Sequence, residues 1–551
     1  MLNGQDLKFA VISGSNNISS QKAQINDLNI FPVPDGDTGT NMSMTTSAAV
    51  VAISESNEDS AGEMAKTIAS AMLRGARGNS GVILSLLFRG FSEGLKGKNA
   101  VDGKDMVEAL GLGVDAAYKA VMKPTEGTIL TVARVGYEGG LAVCNNPNMS
   151  VSDVWEVVCT SAEEALNQTP DLLPVLKKAG VVDAGGKGLL SIFQGMLSYF
   201  KTGEVVEYVE QNTPEEMDEF ASAAAEFDDD ITFTYCTEFI VGRDEEIATD
   251  PNELRLFLET IGDCVVVVND EEIIKVHVHT EQPGDALKKG LEFGQLLTVK
   301  VENMKEQHKQ AKADNVKRKP KKEKFVPQEP VEEVGFVAVA AGEGISALFK
   351  DLGCNNVVSG GQSMNPSTDD IYAAVMATPA KNVIVFPNNK NIIMAAEQTV
   401  PIVEDRKVII VPTKTIPQGM TAMLSYDPEL SVESNKDMMT DAAKQVGTGL
   451  VTYAARNSEF GSKKIKEGEV IALENGKLTI TEKTPVKALV KLAKDMITHD
   501  SAFVTVFYGE DISEEDANEA LEILQDKFGS KVDISLVNGG QPIYYFILSV
   551  E

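Results

Sequence analysis

Over roughly the first 200 residues, apolar positions recur at i, i+3 and i+4. AGEMAKTIASAMLRGARG, KDMVEALGLGVDAAYKAVM and VSDVWEVVCTSAEEALNQ each keep that spacing and end near Gly or Pro, which predicts amphipathic helices and an all-helical domain. The period then changes. From about 230 to 302, the apolar runs TYCTEFIVG, CVVVVND, EIIKVHVHT and LLTVKVENM enclose two helical stretches, DPNELRLFLETIG and PGDALKKGLEFG. Their order, βαββαβ, is the split-βαβ or ferredoxin-like α+β arrangement. The acidic TPEEMDEFASAAAEFDDD before them is expected to be a helix with a mobile end. Further on, VGFVAVAAG, NVVSG, NVIVFPNN and KVIIVPT are nearly continuous apolar runs separated by helical stretches, the pattern of strands buried on both faces of a parallel sheet. An α/β domain is expected there. EVIALENGKLTI then predicts a hairpin turning at Asn475-Gly476, and AFVTVFYG, SEEDANEALEILQDKFG and YYFILSVE close the chain as strand, helix and strand.

A chain of 551 residues has room for three or four such domains. The clearest boundary is KEQHKQAKADNVKRKPKKEKFVPQEPVEE, where Lys, Pro and Glu replace apolar residues and no period survives, as in a flexible, locally basic linker. The expected domains are 1–205, 206–304 and 334–551, with 305–333 as linker. Lys plus Arg number 50 and Asp plus Glu 82, a net charge of −32, which repels nucleic acid and anionic headgroups over most of the surface. No basic start leads into an apolar stretch, and no run approaches the roughly 18 apolar residues of a membrane span, so a cytoplasmic protein is expected. Five scattered cysteines without paired spacing fit a reducing compartment.

The chemistry concentrates in DGDTGTN. Asp35 and Asp37 are separated only by Gly36, in a turn after Pro32 and Pro34, so both carboxylates can converge on one cation cluster. All-oxygen ligation of that kind suits Mg²⁺ bound with substrate phosphates. Thr38, Gly39, Thr40 and Asn41 open a predicted helix, where backbone N–H groups and the dipole favour phosphate. The plain alternative is a pair of turns with Asp37 as a helix cap. A second such start, Gly78, Asn79, Ser80 and Gly81 in RGARGNSGVI, favours a nucleotide site. A third, VDAGGKGLL, places Asp183 beside Gly185 and Gly186, where backbone can approach a nucleotide, although the Walker A spacing is absent.

NIFPVPDGDTGTNM, RGARGNSGVI, PTEGTILTVAR and VDAGGKGLL, in this order, resemble the nucleotide-binding subunit domain of dihydroxyacetone kinases, an eight-helix barrel holding ATP through two Mg²⁺. With the two later domains attached, the whole chain resembles the catalytic, ATP-binding subunit of bacterial fatty acid kinase. The resemblance implies Asp35 and Asp37 as metal ligands, with Thr38 to Asn41 and Gly78 to Gly81 near the phosphates. It further implies Thr128 and Gly185 in the nucleotide pocket. The dihydroxyacetone kinase pattern has another Asp where this chain has Ile30. Asn29 or Asp27 can substitute, with Asn29 preferred because it sits inside the motif.

That resemblance implies a fatty acid as acceptor, presented by a separate DegV-like carrier, and acyl phosphate with ADP as products. The residues agree: the first 276 contain no histidine, and a carboxylate, already ionised, needs no general base. A dihydroxyacetone-type small-molecule kinase and a non-catalytic nucleotide-sensing scaffold are the alternatives. Arg74, Arg77 and Arg134 are candidate charge stabilisers or ordinary ion-paired residues. In the middle domain His277 and His279 share one strand face, and Cys236 lies on a strand that the βαββαβ order can place beside them. Thiolate plus two imidazoles is a partial zinc set, and the resemblance implies Zn²⁺ there. SGGQSMNPSTDDI, FPNNKNI and VPTKTIPQGM resemble the DegV-like α/β fold, which implies docking of the carrier through Gly360 to Ser367 and Asn388 to Asn391. Gly342 and Gly344 come close to a dinucleotide fingerprint without a clear acidic ribose partner. A homodimer is expected.

Overall fold

A computed structural model of the chain describes residues 1–29, 37–121, 123–208, 234–243, 251–269, 273–303, 325–361, 365–455, 457–460 and 463–551. The chain forms two compact units, one of Met1–Val209 with Glu323–Glu551 and the other of Glu210–Lys322. The expected acidic helix falls within 209–233, outside the described residues.

The N-terminal part is helical. Among the described residues it comprises α1 (Gly4–Asn26), α2 (Thr38–Ile53), α3 (Ala61–Gly75), α4 (Gly78–Gly94), α5 (Gly103–Ala120), α6 (Ile129–Val143), α7 (Val151–Leu172), the short α8 (Pro174–Ala179) and α9 (Ala184–Thr202). Reciprocal capping boxes start α1 (Asn3 with Asp6), α5 (Asp102 with Asp105) and α7 (Ser150 with Asp153), which explains why those helices begin where their polar residues stand. Their inward stripes meet in one apolar core around Trp155, whose indole N–H donates to the Phe193 carbonyl at 3.2 Å. That bond satisfies the polar end of an otherwise buried ring.

The middle unit runs β1 (Tyr235–Arg243), α10 (Pro251–Ile261), β2 (Gly262–Asn269), β3 (Ile273–Thr280), α11 (Pro283–Gly290) and β4 (Gly294–Asn303). Its strands are ordered β2-β3-β1-β4, and every neighbouring pair is antiparallel. Phe239 and Val241 from β1 and Ile274, Val276 and Val278 from β3 alternate onto one face and pack with Leu254 and Leu258 of α10.

The C-terminal part opens with β5 (Glu332–Ala340), α12 (Glu343–Asp351), β6 (Asn356–Ser359), α13 (Thr368–Met376), β7 (Ala380–Phe386), α14 (Ile393–Glu397) and β8 (Lys407–Ile410). These strands form a parallel sheet in the order β6-β5-β7-β8, the buried sheet that the apolar runs predict. After α15 (Ile416–Leu424) and α16 (Val432–Gln445) come β9 (Gly447–Tyr453), the short pair β10 (Ser458–Phe460) and β11 (Lys463–Ile465), β12 (Val470–Glu474), β13 (Lys477–Glu482), α17 (Pro485–Met496), β14 (Phe503–Tyr508), α18 (Glu514–Phe528), β15 (Asp533–Asn538) and β16 (Phe546–Val550). A second, six-stranded sheet is ordered β13-β12-β9-β16-β14-β15. The hairpin turns at Asn475 and Gly476, with φ of 48° and 78°, the two positive values of a type I′ turn.

Two features differ from the sequence reading. Residues 325–331, expected to fall in a flexible linker, are bound to the α/β part: Gln328 N–H donates to the Met376 carbonyl at the end of α13 at 2.9 Å, and the buried Arg406 reaches the Gln328 carbonyl at 2.8 Å. Residues 304–324 lie outside the described ones. The Gly342–Gly344 turn is occupied by its own chain, since a Cβ at Gly344 would stand 1.8 Å from the Asn538 carbonyl. Those glycines serve the close approach of residues 538–541, and no dinucleotide backbone fits between.

Candidate phosphate and metal site

Three contacts show that four helices start at one end of the helical part. A Cβ at Gly78, the first residue of α4, would stand 2.5 Å from Asn41 Nδ2 in the first turn of α2. A Cβ at Gly188 in α9 would stand 2.6 Å from Met42 Sδ, again at the start of α2, and one at Gly185 would stand 3.3 Å from the Ile129 Cβ at the start of α6. The amino ends of α2, α4, α6 and α9 therefore gather together, and their dipoles add a positive field where a polyphosphate can sit. Gly78 has φ of +56°, so a glycine is needed there both for backbone shape and for the approach of Asn41.

The four starts are not equivalent. At α2 the amides of Gly39 and Thr40 donate to Asn26 Oδ1 at 2.7 and 3.2 Å, and Asn26 Nδ2 donates to Thr40 Oγ1 at 2.9 Å. Asn26, which sequence reasoning missed, thus caps α2 from the end of α1. Asn29 is also engaged, because its Oδ1 accepts from Thr38 Oγ1 at 2.9 Å. At α6 the Thr128 hydroxyl bonds the Thr125 carbonyl at 2.7 Å and caps Leu130. At α9 Asp183 accepts from the Gly186 amide at 2.7 Å, and burial pushes its carboxyl up to about 6, opposed by the Gly186 and Ile129 amides. By contrast, α4 begins at Arg77 with no side-chain cap, which leaves the Gly78, Asn79 and Ser80 end as the start best able to receive phosphate oxygens.

Asp37 stands at the N-cap position of α2 but makes no capping hydrogen bond. Its Oδ2 instead accepts from Asn365 Nδ2 of the C-terminal part at 2.5 Å. The plain cap reading of Asp37 is therefore not what the fold uses it for. Asp35 and Gly36 lie outside the described residues. Two amide oxygens, Asn79 Oδ1 and Asn365 Oδ1, are buried with no hydrogen-bond partner among the described residues. A carboxylate and orphaned acceptors ask for a cation or for donors carried by one, so the donor set fits hydrated Mg²⁺.

The C-terminal part closes this end of the molecule. Arg77 forms an antiparallel bridge with Ser367, Thr368 N–H donates to the Ala76 carbonyl at 3.1 Å, and Arg77 Nη1 donates to the Asn365 carbonyl at 2.8 Å. Arg77 also faces Asp370 at 3.7 Å, Arg74 faces Asp369 at 3.8 Å, and Asn79 Nδ2 contacts Asn391 Oδ1 at 3.4 Å. Beneath these contacts Ala76, Val82 and Leu86 share one apolar cluster with Val337, Val339, Ile371 and Val385. The loops expected to meet a carrier protein thus turn residues 365, 367 and 391 onto the helical part. Arg134 stands apart, held by Glu126 at 3.0 Å and Glu138 at 2.9 Å, an ion-paired residue of α6.

In the middle unit the register sets Cys236 opposite His279, with His277 two positions along β3 on the same face, and Asp263 and Glu302 fall in the same cross-strand row. This backbone juxtaposition is all the structure describes there. Among the described residues no group of three His, Cys, Asp or Glu side chains is placed to hold a metal ion. Cys144, Cys159 and Cys354 are buried free thiols, and burial pushes the latter two up to about 12, so they are inert core residues. No helix among the described residues is long and apolar enough to cross a membrane.

Comparison with known proteins agrees with this layout. Residues 32–198 match the DAK2 domain, residues 232–311 the middle domain of FakA-like fatty acid kinases, and residues 335–551 their C-terminal domain. The chain belongs to the FakA-like fatty acid kinase family. It is 39% identical over 558 residues to an uncharacterized protein of Staphylococcus aureus strain USA300, covering 100% of this chain and 99% of that one. It is likewise 39% identical over 563 residues to the protein YloV of Bacillus subtilis strain 168, with 100% and 99% covered. Among solved structures, a DegV family protein of Corynebacterium glutamicum aligns with a TM-score of 0.31 at 14% identity, covering 40% of this chain and 96% of that one. The dihydroxyacetone kinase of C. freundii, in complex with AMP-PNP and Mg²⁺, aligns with a TM-score of 0.28 at 19% identity, covering 35% and 33%.

Proposed function

We propose that the chain is the ATP-binding component of a fatty acid kinase, which transfers the γ-phosphoryl group of ATP to a fatty-acid carboxylate and yields acyl phosphate and ADP. The observation that carries this reading is the gathering of four helix amino ends around Asp37 and two orphaned amide oxygens. In this reading Asp35 and Asp37 hold Mg²⁺, which neutralises phosphate charge. Gly78, Asn79, Ser80 and Gly81 receive phosphate oxygens, Thr38 to Asn41 line the opposite side, and Thr128, Asp183 and Gly185 shape the nucleotide pocket. Asn29 steers Thr38 through Oδ1, which keeps a second lone pair for the metal.

The acceptor arrives on a separate DegV-like carrier, whose docking uses the C-terminal part next to this end. The helical part is read as an eight-helix barrel with the short α8 as an addition, and the middle unit as ferredoxin-like from its β2-β3-β1-β4 order. A zinc ion on Cys236, His277 and His279, of which the register sets Cys236 opposite His279, belongs to the same reading. A cytoplasmic homodimer completes the reading.

Purified protein mixed with ATP, Mg²⁺, dihydroxyacetone, a fatty acid and its carrier, with hydroxylamine as trap, is expected to give the fatty hydroxamate. Phosphorylated dihydroxyacetone without hydroxamate, or ATP binding without either product, would contradict the carboxylate reading.

A further inference from the structure

Asn365 belongs to the α/β part, yet its side chain is turned onto the first turn of α2. Pro366 follows it and favours extended backbone at Asn365, while Ser367 and Asp370 form a capping box that starts α13. The chain is thereby fixed immediately after Asn365. The Ser367 bridge to Arg77 and the Arg77 bond to the Asn365 carbonyl fix it from the helical side as well. Asn365 is 1% exposed, its Nδ2 reaches Asp37 Oδ2 at 2.5 Å, and its Oδ1 has no hydrogen-bond partner among the described residues.

A residue serving only to join two domains has no reason to bury an unused acceptor beside a carboxylate, because such an acceptor opposes folding. A residue that orients a metal-binding carboxylate has both halves of its amide to use. The N–H₂ group fixes which way the carboxylate turns, and the oxygen accepts from a donor that arrives with the cation. The neighbouring buried Asn79 Oδ1 makes the same demand.

We propose that Asn365 is a positioning residue of the Mg²⁺-nucleotide site: it holds the Asp37 carboxylate through Nδ2 and presents Oδ1 to the hydrated cation, so that the C-terminal part completes the phosphate site. This rests on the kinase reading of Asp37. It separates the C-terminal part from a role confined to carrier docking, since that part then matters to metal binding when no carrier is present.

The test uses the full chain with ADP, without carrier or fatty acid, and reads Mn²⁺ affinity from the free-ion electron paramagnetic resonance signal. Asn365→Leu keeps the volume and removes both polar atoms; it is expected to weaken Mn²⁺ binding by about 10- to 100-fold, as loss of outer-shell partners does. Asp369→Ala, which removes a neighbouring interdomain ion pair but no contact to Asp37, is expected to stay within about twofold. Should Asn365→Leu fail to fold, Asn365→Ser takes its place with the same expectation. Wild-type affinity in the Asn365 variant, with binding lost in Asp37→Ala, overturns this inference and leaves the kinase reading standing. Equal weakening in Asp369→Ala also overturns it, as general loosening of the interface. Undiminished binding in Asp37→Ala overturns the kinase reading and this inference with it.

Discussion

Asp37 contributes little to packing, being half-buried, and its Oδ2 accepts from an amide across the domain junction. Asp37→Ala is therefore expected to leave far-ultraviolet circular dichroism unchanged while lowering turnover by more than about 100-fold, since phosphoryl transfer depends on charge neutralisation. Near-normal turnover would contradict the metal assignment. Asp183 makes a different kind of demand. Its carboxyl is pushed up to about 6 by burial, so between the ordinary value of about 4 and that value the folded chain holds the proton more tightly than the unfolded chain. Stability from this group is fully present below about pH 4 and is lost as pH rises through about 6. Asp183→Asn keeps an oxygen for the Gly186 amide and removes the ionisation. It is expected to raise stability above about pH 7 by up to about 3 kcal/mol and to change little below about pH 4, as urea titrations at both values would read. A loss at the higher pH would show that the anion is held by more than its two amides. Asp35 and Asp37 are recognisable as candidates in the sequence because only Gly36 separates them. Asn365 is not, because its partner lies 328 positions away and nothing local marks the pair.

The start of α4 distinguishes a strained turn from a phosphate cradle. Gly78 and Gly97 both have positive φ, +56° and +76°, but a Cβ at Gly97 would meet nothing within 4 Å whereas one at Gly78 would press on Asn41 at 2.5 Å. Alanine at either position is expected to cost about 1–2 kcal/mol for the left-handed backbone, and at Gly78 more, with weaker nucleotide binding as well. Denaturant midpoints and ADP titration of both variants read the two effects apart. Equal nucleotide affinity in both would remove α4 from the site. The helices and parallel strands were legible because their apolar period is local, and the Asn475-Gly476 hairpin because its turn chemistry is local too. Strand β9 was not, since GTGLVTY carries two glycines and depends on β12 and β16 for its place. Residues 325–331 look like linker by composition and are held through tertiary contacts, among them bonds from Arg406 and to Met376 and Pro379.

For the whole molecule, the consequence of the shared cluster of Ala76, Val82, Leu86 and Ile371 is that the helical and C-terminal parts cannot be read as independent beads. Ile371 is fully buried in that cluster, so Ile371→Ala is expected to cost about 2–5 kcal/mol. Trp155, the single tryptophan, lies in the core of the helical part and reports on that part alone. Its fluorescence transition in denaturant is expected to shift with the Ile371 substitution, whereas an unmoved transition would show that the two parts unfold separately. The sequence divides into domains by composition, but such a junction leaves no periodic trace, because its members come from residues 76–86 and from 337–410, far apart in the chain. In the proposed function a triphosphate is held where the amino ends of α2 and α4 meet Asp37 under the C-terminal part. A crystal structure of the full chain with Mg²⁺ and a non-hydrolysable ATP analogue tests it most directly. The phosphates are expected against Gly78 to Gly81 with the cation on Asp35 and Asp37; a nucleotide bound elsewhere, with the acidic turn facing away from it, would rule this site out.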